Sequence, residues 1–407
     1  MKTNDKRFIL QGFIPPNHGD EKELQTYKDC GFTHCVMTED TFKISDPEYC
    51  NSLKRMEKLG LDAVIVNYRH KTPRYLDELK KINFNDYPAV KMIYAIDEPT
   101  EEMLDGVEKE YVPWYNENYA NTDIAWFINT YGGAVEDTGV KNYKKHIDNC
   151  IERLNNKVNT KNKFFSIDNY PLRQKEGWKR YLLDECLLMG LSYTAKKAQD
   201  NGARFGTCIQ TYDGWSNLRF PIDIFDIRFQ VFTSLAFGAT VFTYFIYKST
   251  EQIHYMFRGM VTMDGRLRPL YYDVQKMNSE LKTFEEEFLT FKWLGASFYE
   301  GKENNGEKRP AFTLARKQMD YADDKILNVE SNRDIIIGSF VKDDKKAYIF
   351  VDFNEPSKKA QNKIVVDFKD AKKARMNLHG EETIIELNNG RFEIELEAGD
   401  GLFLVVE

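Results

Sequence analysis

The chain has 407 residues, 42% of them apolar and 14% aromatic, and its abundant charges of both signs sum to −7. So long a chain with so much core-forming material reads as a two-domain globular protein. Lysine and arginine never gather into a basic stripe, and no run is apolar and long enough to span a bilayer, so nucleic acid and membrane are excluded as partners.

The opening "MKTNDKRFILQGF" lacks the long apolar segment of a secretion signal, which favours the cytoplasm; a chain trimmed of its signal would look the same and be secreted or periplasmic. Up to about residue 290, short β-rich runs alternate with longer amphipathic stretches. The runs are "FILQGFIPP" (8–16), "THCVM" (33–37), "DAVIVNY" (62–68), "KMIYAIDE" (91–98), "IAWFINTY" (124–131), "FFSIDNY" (164–170), "RFGTCIQTY" (204–212) and "ATVFTYFIY" (239–247). Between them, Asp46-Pro47 and Thr72-Pro73 mark helix starts, and Gly31, Gly60 and Gly202 follow helix ends. Tyr49, Leu53, Met56 and Leu59 form one apolar stripe on the second helix. Eight strand and helix alternations imply an α/β fold, a closed (β/α)₈ TIM barrel. A doubly wound sheet would need a glycine-rich phosphate loop after its first strand, where this chain reads "GFIPPNHGD".

From Trp293 the texture changes to short alternating segments, "DIIIGSF", "KAYIFVDF", "NKIVVDF", "ETIIEL" and "RFEIEL", separated by turns such as "ELNNGRF" and "AGDGLF". The expected division is a barrel over 1–292 and a C-terminal antiparallel β-sandwich over 293–407. "GKENNGEKRP" (301–310) reads as a solvated loop. Cys30, Cys35, Cys50, Cys150, Cys186 and Cys208 show neither CxxC nor metal-ligand spacing and read as reduced thiols. His18, His70 and His254 lack ligand spacing as well, so neither metal nor cofactor is expected.

Barrels of this kind carry their chemistry at the C-terminal strand ends. The fourth run ends in Asp97 and Glu98, the sixth in Asp168, Asn169 and Tyr170, and the seventh in Gln210, Tyr212, Asp213 and Trp215. Asn67 ends the third, Asn129 the fifth, and Tyr244 and Tyr247 the eighth. Carboxyls, amides and aromatics converging on one face suit a sugar: rings stack on its C–H surface, amides bind hydroxyls, and two carboxyls do the acid and base work of glycosidic cleavage. Glu98 is the sharpest candidate for a general acid. It has a bland reading too, in which Asp97 and Glu98 sit at a helix start with Pro99 in the first turn. Asp168 is likewise either a second catalytic carboxylate or ordinary turn chemistry before Tyr170-Pro171.

With these residues in hand, the chain resembles a clan A-type (β/α)₈ glycoside hydrolase of the β-galactosidase-like branch and its bacterial relatives. The stretches "YAIDEPT", "FFSIDNYPL", "IRFQVFTSLAFGATVFTYFIY" and "FRGMVTMDGRLRPLYYDVQKMNSELKTF" carry the likeness. The resemblance implies an oligosaccharide or glycoside as substrate and matches Glu98 to the family's acid/base glutamate. Two positions depart from the pattern: Asp97 stands where the family has asparagine, and Gln210 where it has its nucleophilic glutamate. Glutamine cannot attack. Asp168, then Asp213 or Asp97, remain as nucleophile or base; a substrate N-acetyl group could assist; or the barrel binds glycans without cleaving them. A barrel isomerase or lyase is a more distant alternative.

Overall fold

The computed structural model describes residues 7–38, 42–66, 74–133, 142–174, 185–214, 218–252, 255–304 and 321–407. Eight strands, β1 (Ile9–Gly12), β2 (His34–Met37), β3 (Asp62–Val66), β4 (Val90–Ile96), β5 (Ala125–Tyr131), β6 (Lys163–Asp168), β7 (Arg204–Gln210) and β8 (Ala239–Phe245), form a closed barrel in chain order. Each falls within, or one residue beyond, one of the eight expected runs. β8 returns to pair in parallel with β1, Thr243 opposite Gln11, so no edge is left open. Helical segments follow the strands in turn: α1 (Glu21–Asp29), α2 (Pro47–Leu59), α3 (Arg74–Leu79), α4 (101–118), α5 (143–155), α6 (185–200), α7 (Ile224–Ala236) and α8 (Pro269–Phe288).

Local chemistry explains the helix ends. Asp46 accepts the backbone N–H of Glu48 while Pro47 fills the first helical position, and Gly60 closes α2 in the left-handed conformation at φ 68°. Tyr49, Leu53 and Met56 are buried as the stripe requires. The start expected at Thr72-Pro73 lies outside the described residues.

Alternation along the strands separates two cores. Ile9, Val36, Val64, Met92, Phe127, Phe164 and Val241 fill the barrel interior. Leu10, Ile65, Ile93, Ile128 and Phe242 face outward into the layer beneath the helices, and that outer core continues without a break into the C-terminal region through Phe340, Ile349, Val351, Phe403 and Val405.

The loop after β8 carries a hairpin, β9 (Thr250–Gln252) and β10 (Tyr255–Phe257). Beyond α8 come β11 (Lys292–Tyr299), β12 (Ile326–Ser331), β13 (Ile335–Lys342), β14 (Lys345–Asp352), β15 (Gln361–Phe368), β16 (Lys373–Leu378), β17 (Glu381–Glu386), β18 (Arg391–Glu397) and β19 (Gly401–Val406). A six-stranded sheet, ordered β11-β13-β14-β19-β16-β17, packs on a three-stranded sheet, β12-β15-β18. Ile337, Phe350, Leu402 and Leu404 of the first meet Ile364, Val366 and Phe392 of the second, which makes the unit a β-sandwich. "AGDGLF", expected as a turn, ends instead in the first residues of β19, a strand paired on both sides, because "GLFLVV" is apolar and continuous. Of the expected 301–310 loop, residues 305–310 lie outside the described residues.

The larger sheet docks on α7 and α8. Gly338 of β13 lies so close to the end of α7 that a Cβ there would stand 2.3 Å from the Ala236 carbonyl oxygen. The Trp293 indole N–H donates to that same oxygen at 3.0 Å. Arg228 of α7, 2% exposed, forks onto Glu280 of α8 at 2.6 and 3.0 Å and stands 3.7 Å from Asp400 before β19. Removing one partner of a buried ion pair leaves the other uncompensated, so Arg228→Ala should cost about 3–5 kcal/mol in urea unfolding. A loss under about 1 kcal/mol would show that the bridge is dispensable.

Candidate active site

Two backbone irregularities bring the adjacent acids Asp97 and Glu98 to the barrel mouth together. β4 pairs with β5 as Tyr94 with Phe127 and then Ile96 with Ile128, so one extra residue, Ala95, bulges from β4. Tyr94 faces the interior while Ala95 and Ile96 both face the outer core, and the next residue, Asp97, returns to the mouth. Glu98 then adopts φ 43°, a left-handed conformation that costs a non-glycine residue of order 1 kcal/mol. Its N–H still donates to the Asn129 carbonyl at 3.1 Å, continuing the β4–β5 pairing past the strand end. Strict alternation would show one of the two acids to the mouth. The bulge and the turn show both.

α4 begins later than the sequence suggests. Thr100 caps it, accepting from Met103 N–H, and Glu101 and Glu102 are the acids of its first turn. Asp97 and Glu98 are therefore not helix-start acids, and Pro99 precedes the cap.

Three carboxyls share the mouth. The Tyr94 hydroxyl donates to Oδ1 of Asp97 at 2.6 Å, and the Asn129 amide donates to the same oxygen at 2.9 Å and to Oδ1 of Asp168. The Tyr170 hydroxyl donates to Oδ2 of Asp168 at 2.8 Å, and the Cys208 thiol to its Oδ1 at 2.8 Å. Desolvation first, then the charges of Asp168 and Asp97, hold the Glu98 carboxyl well above the usual carboxylate range. Burial and the neighbouring Asp168 push Asp97 up to about 7, with the Tyr94 and Asn129 hydrogen bonds opposing the rise. All three acids keep some solvent exposure, which tempers the cost of burial.

The other expected site residues divide. Asn129 and Tyr170 belong to this network. Gln210 does not face a ligand: it is fully buried, its Oε1 accepts from Leu172 N–H at 2.9 Å, and its Nε2 donates to the carbonyls of Leu172, Tyr212 and Arg219. Its side chain ties the loops after β6 and β7 together. Asp213 is bound by Arg258 through both carboxylate oxygens, with Nε at 2.7 Å, so it is not a free carboxylate. Asn169 is 3% exposed and lines a small cavity behind β6 and β7. Tyr212 is fully buried among Tyr170, Phe245 and Phe257, so its ring is not open to a ligand.

Tyr244 and Tyr247 are corrected as well. Tyr244 points outward, its hydroxyl donating to Asn278 of α8 at 2.8 Å, and Tyr247 packs on Tyr27 and Phe32. The alternation that turns Val241 inward makes Phe245 the partly exposed ring on the inner side of β8, 5.4 Å from Phe13. Asn67, Trp215, His70 and His254 lie outside the described residues. His18 is buried, and burial lowers it to about 4. Among the described residues no group of three or more His, Cys, Asp or Glu is arranged to hold a metal.

Sequence reasoning missed Tyr94, Cys208 and Phe245. Tyr94 and Phe245 were within reach of a two-residue count back or forward along their strands. Cys208 carried no signal beyond its apolar surroundings.

No protein-family model matches the sequence, and no curated protein sequence matches it. Solved structures do match in fold. A β-galactosidase from Bacillus circulans sp. alkalophilus aligns over 100% of both chains at 9% identity and a TM-score of 0.58. An α-galactosidase I from Mortierella vinacea aligns over 96% of this chain and 91% of its own at 8% identity and 0.52. A GH30 endoxylanase from Clostridium papyrosolvens C71 aligns over 100% and 97% at 11% identity and 0.50. At such identities the likeness is one of fold.

The stability that Asp97 gives is complete below its unfolded value of about 4 and is lost as pH rises through about 7, because the folded state resists its ionisation. Asp97→Asn removes that loss, so its gain in thermal stability should be larger at pH 8 than at pH 5, reaching roughly 1–3 kcal/mol. A gain that does not grow with pH contradicts the assignment. Gln210→Glu would face three carbonyls without a donor, so it should lower the denaturant midpoint by the equivalent of roughly 2–4 kcal/mol. An unchanged midpoint would show that Gln210 is not committed to the loops.

Proposed function

We propose that the chain is a glycoside hydrolase: the barrel, residues 1–292, cleaves an O-glycosidic bond at its C-terminal mouth, and the β domain, residues 293–407, buttresses it. The single observation that carries the reading is the Glu98–Asp168 pair, one carboxyl pushed above its usual range by burial and neighbouring charge and a second that is supplied with donors. A glycosidic oxygen leaves only when protonated as its bond breaks, and Glu98 is the group kept ready to protonate it. Asp168 attacks the anomeric carbon, with Asn129 and Tyr170 fixing its oxygens. Glu98 then takes the proton of the water that releases the sugar.

The Asp168 charge acting on the Glu98 carboxyl supports this retaining course. Retaining pairs work at about 5 Å, whereas inverting pairs stand roughly 6.5–9.5 Å apart around a water. Phe245, partly exposed and 5.6 Å from the ring of Tyr170, offers apolar ring surface there for a sugar C–H face. The fold shared with two galactosidases and an endoxylanase supports an oligosaccharide or glycoside as substrate.

A second reading, a glycan-binding barrel without hydrolysis, rests on Gln210 at the end of β7, where no carboxylate stands. Glu98→Gln decides between them once a panel of glycosides has identified a substrate. General acid catalysis is typically worth about 10²- to 10⁴-fold, so kcat/KM on a natural glycan should fall by that much. An aryl glycoside, whose leaving group needs little protonation, should lose less. Loss under tenfold on the natural glycan refutes Glu98 as the acid, and glycan binding by calorimetry with no turnover across the panel supports the second reading.

A further inference from the structure

The Cys208 thiol touches the proposed nucleophile although nothing in its surroundings makes it reactive. It lies on β7 opposite Thr243 of β8 and is 6% exposed. Its Sγ stands 2.8 Å from Oδ1 of Asp168 and 3.9 Å from Oδ1 of Asn129. Its other flank borders the small cavity that Asn169 and Thr233 also line, where neither atom of the Asn169 amide has a hydrogen-bond partner. Burial, reinforced by the Asp168 charge, pushes the thiol up, so the sulfur keeps its proton. A protonated thiol in this place is a donor.

We propose that Cys208 is a positioning residue: its S–H fixes Oδ1 of Asp168 together with Asn129 and stabilises the singly charged form of the Glu98–Asp168 pair. This rests on the reading of Asp168 as the second functional carboxylate. Among the described residues, the groups facing the pair are Tyr94 and Asp97 from β4, Asn129 from β5, Tyr170 after β6 and Cys208 from β7.

Glu98 and Asp168 share the mouth with Asp97, and the two steps that belong to their pair are those lost in Glu98→Gln and Asp168→Asn. The first charge on the pair is favoured where donors meet it, and Asn129, Tyr170 and Cys208 all donate to Asp168. In the second the proton leaves Glu98 while Asp168 is charged before and after. A donor to Asp168 therefore lowers the first step and leaves the second nearly untouched. General loosening of the site would move both.

The test titrates the carboxyl C=O infrared band of the full-length protein without substrate, assigning the pair by difference from Glu98→Gln and Asp168→Asn. Cys208→Ala should raise the lower midpoint by about half a pH unit or more, and Cys208→Ser, a stronger donor of similar shape, should lower it, with the upper midpoint unchanged in both. In the pH profile of kcat/KM on an accepted glycoside, the acid limb should follow the same order, with a loss of roughly tenfold for Cys208→Ala. A lower midpoint that stays put in either variant, or both midpoints moving together, overturns the proposal, and Cys208→Ser suffices if Cys208→Ala does not fold. The infrared titration needs no turnover, so an absent glycosidase activity would defeat the hydrolase reading while the two midpoints still decide the role of Cys208.

Discussion

Three carboxyl groups that share one barrel mouth, two of them joined through one amide, resist being charged at once. At the separations of hydrogen-bonded neighbours, even a well-screened pair of like charges repels by kilocalories, and partial burial strengthens the effect. The mouth of this barrel is arranged around that constraint. Tyr94 and Asn129 supply donors to Asp97; Asn129, Tyr170 and Cys208 supply them to Asp168; burial and the charges of both hold the Glu98 carboxyl above its usual range. Asn129 is the hinge of the arrangement, since one amide nitrogen serves two acids from two different strands. The chemistry available to the site, an acid beside a base, is the form that the repulsion takes once donors are distributed unevenly.

That unevenness depends on backbone. Without the bulge at Ala95, Asp97 would turn toward the helices and leave Tyr94 without its acceptor. Without the left-handed turn at Glu98, the strand would carry the glutamate away from Asp168. Both departures lie within four residues of one strand end, followed by a proline and a capped helix that take the chain back down the outside. Local strain at that one place is offset by a barrel closed on every side, which has no freedom to relax it.

Much of this was legible in the sequence. The eight strands, their order and the sandwich beyond them follow from periodicity and turn chemistry, because each pattern reflects burial along a single element. Glu98 and Asp168 could be named because they end their strands. What could not be read was anything that depends on two elements at once. Asp97 and Asn129 meet across 32 positions of sequence, and no local pattern encodes that meeting. Gln210 looked like a ligand residue because it stood where a nucleophile would, yet its amide is used up on carbonyls of two loops whose paths the sequence does not state. Tyr244 and Phe245 differ by one position, and a strand turns such a difference into opposite faces. The bulge in β4 is harder still, since Ala95 carries no glycine or proline to announce it.

The sandwich is joined to the barrel by more than a linker. Phe284 and Phe288 of α8 pack on Phe403 of β19, Phe229 of α7 packs on Phe353, and Phe288 meets Phe340. One continuous apolar layer thus belongs to both. Here the last two helices of the barrel give their outer faces to it, so parting the two would bare apolar surface on both, and neither could be expressed alone without that face seeking another cover.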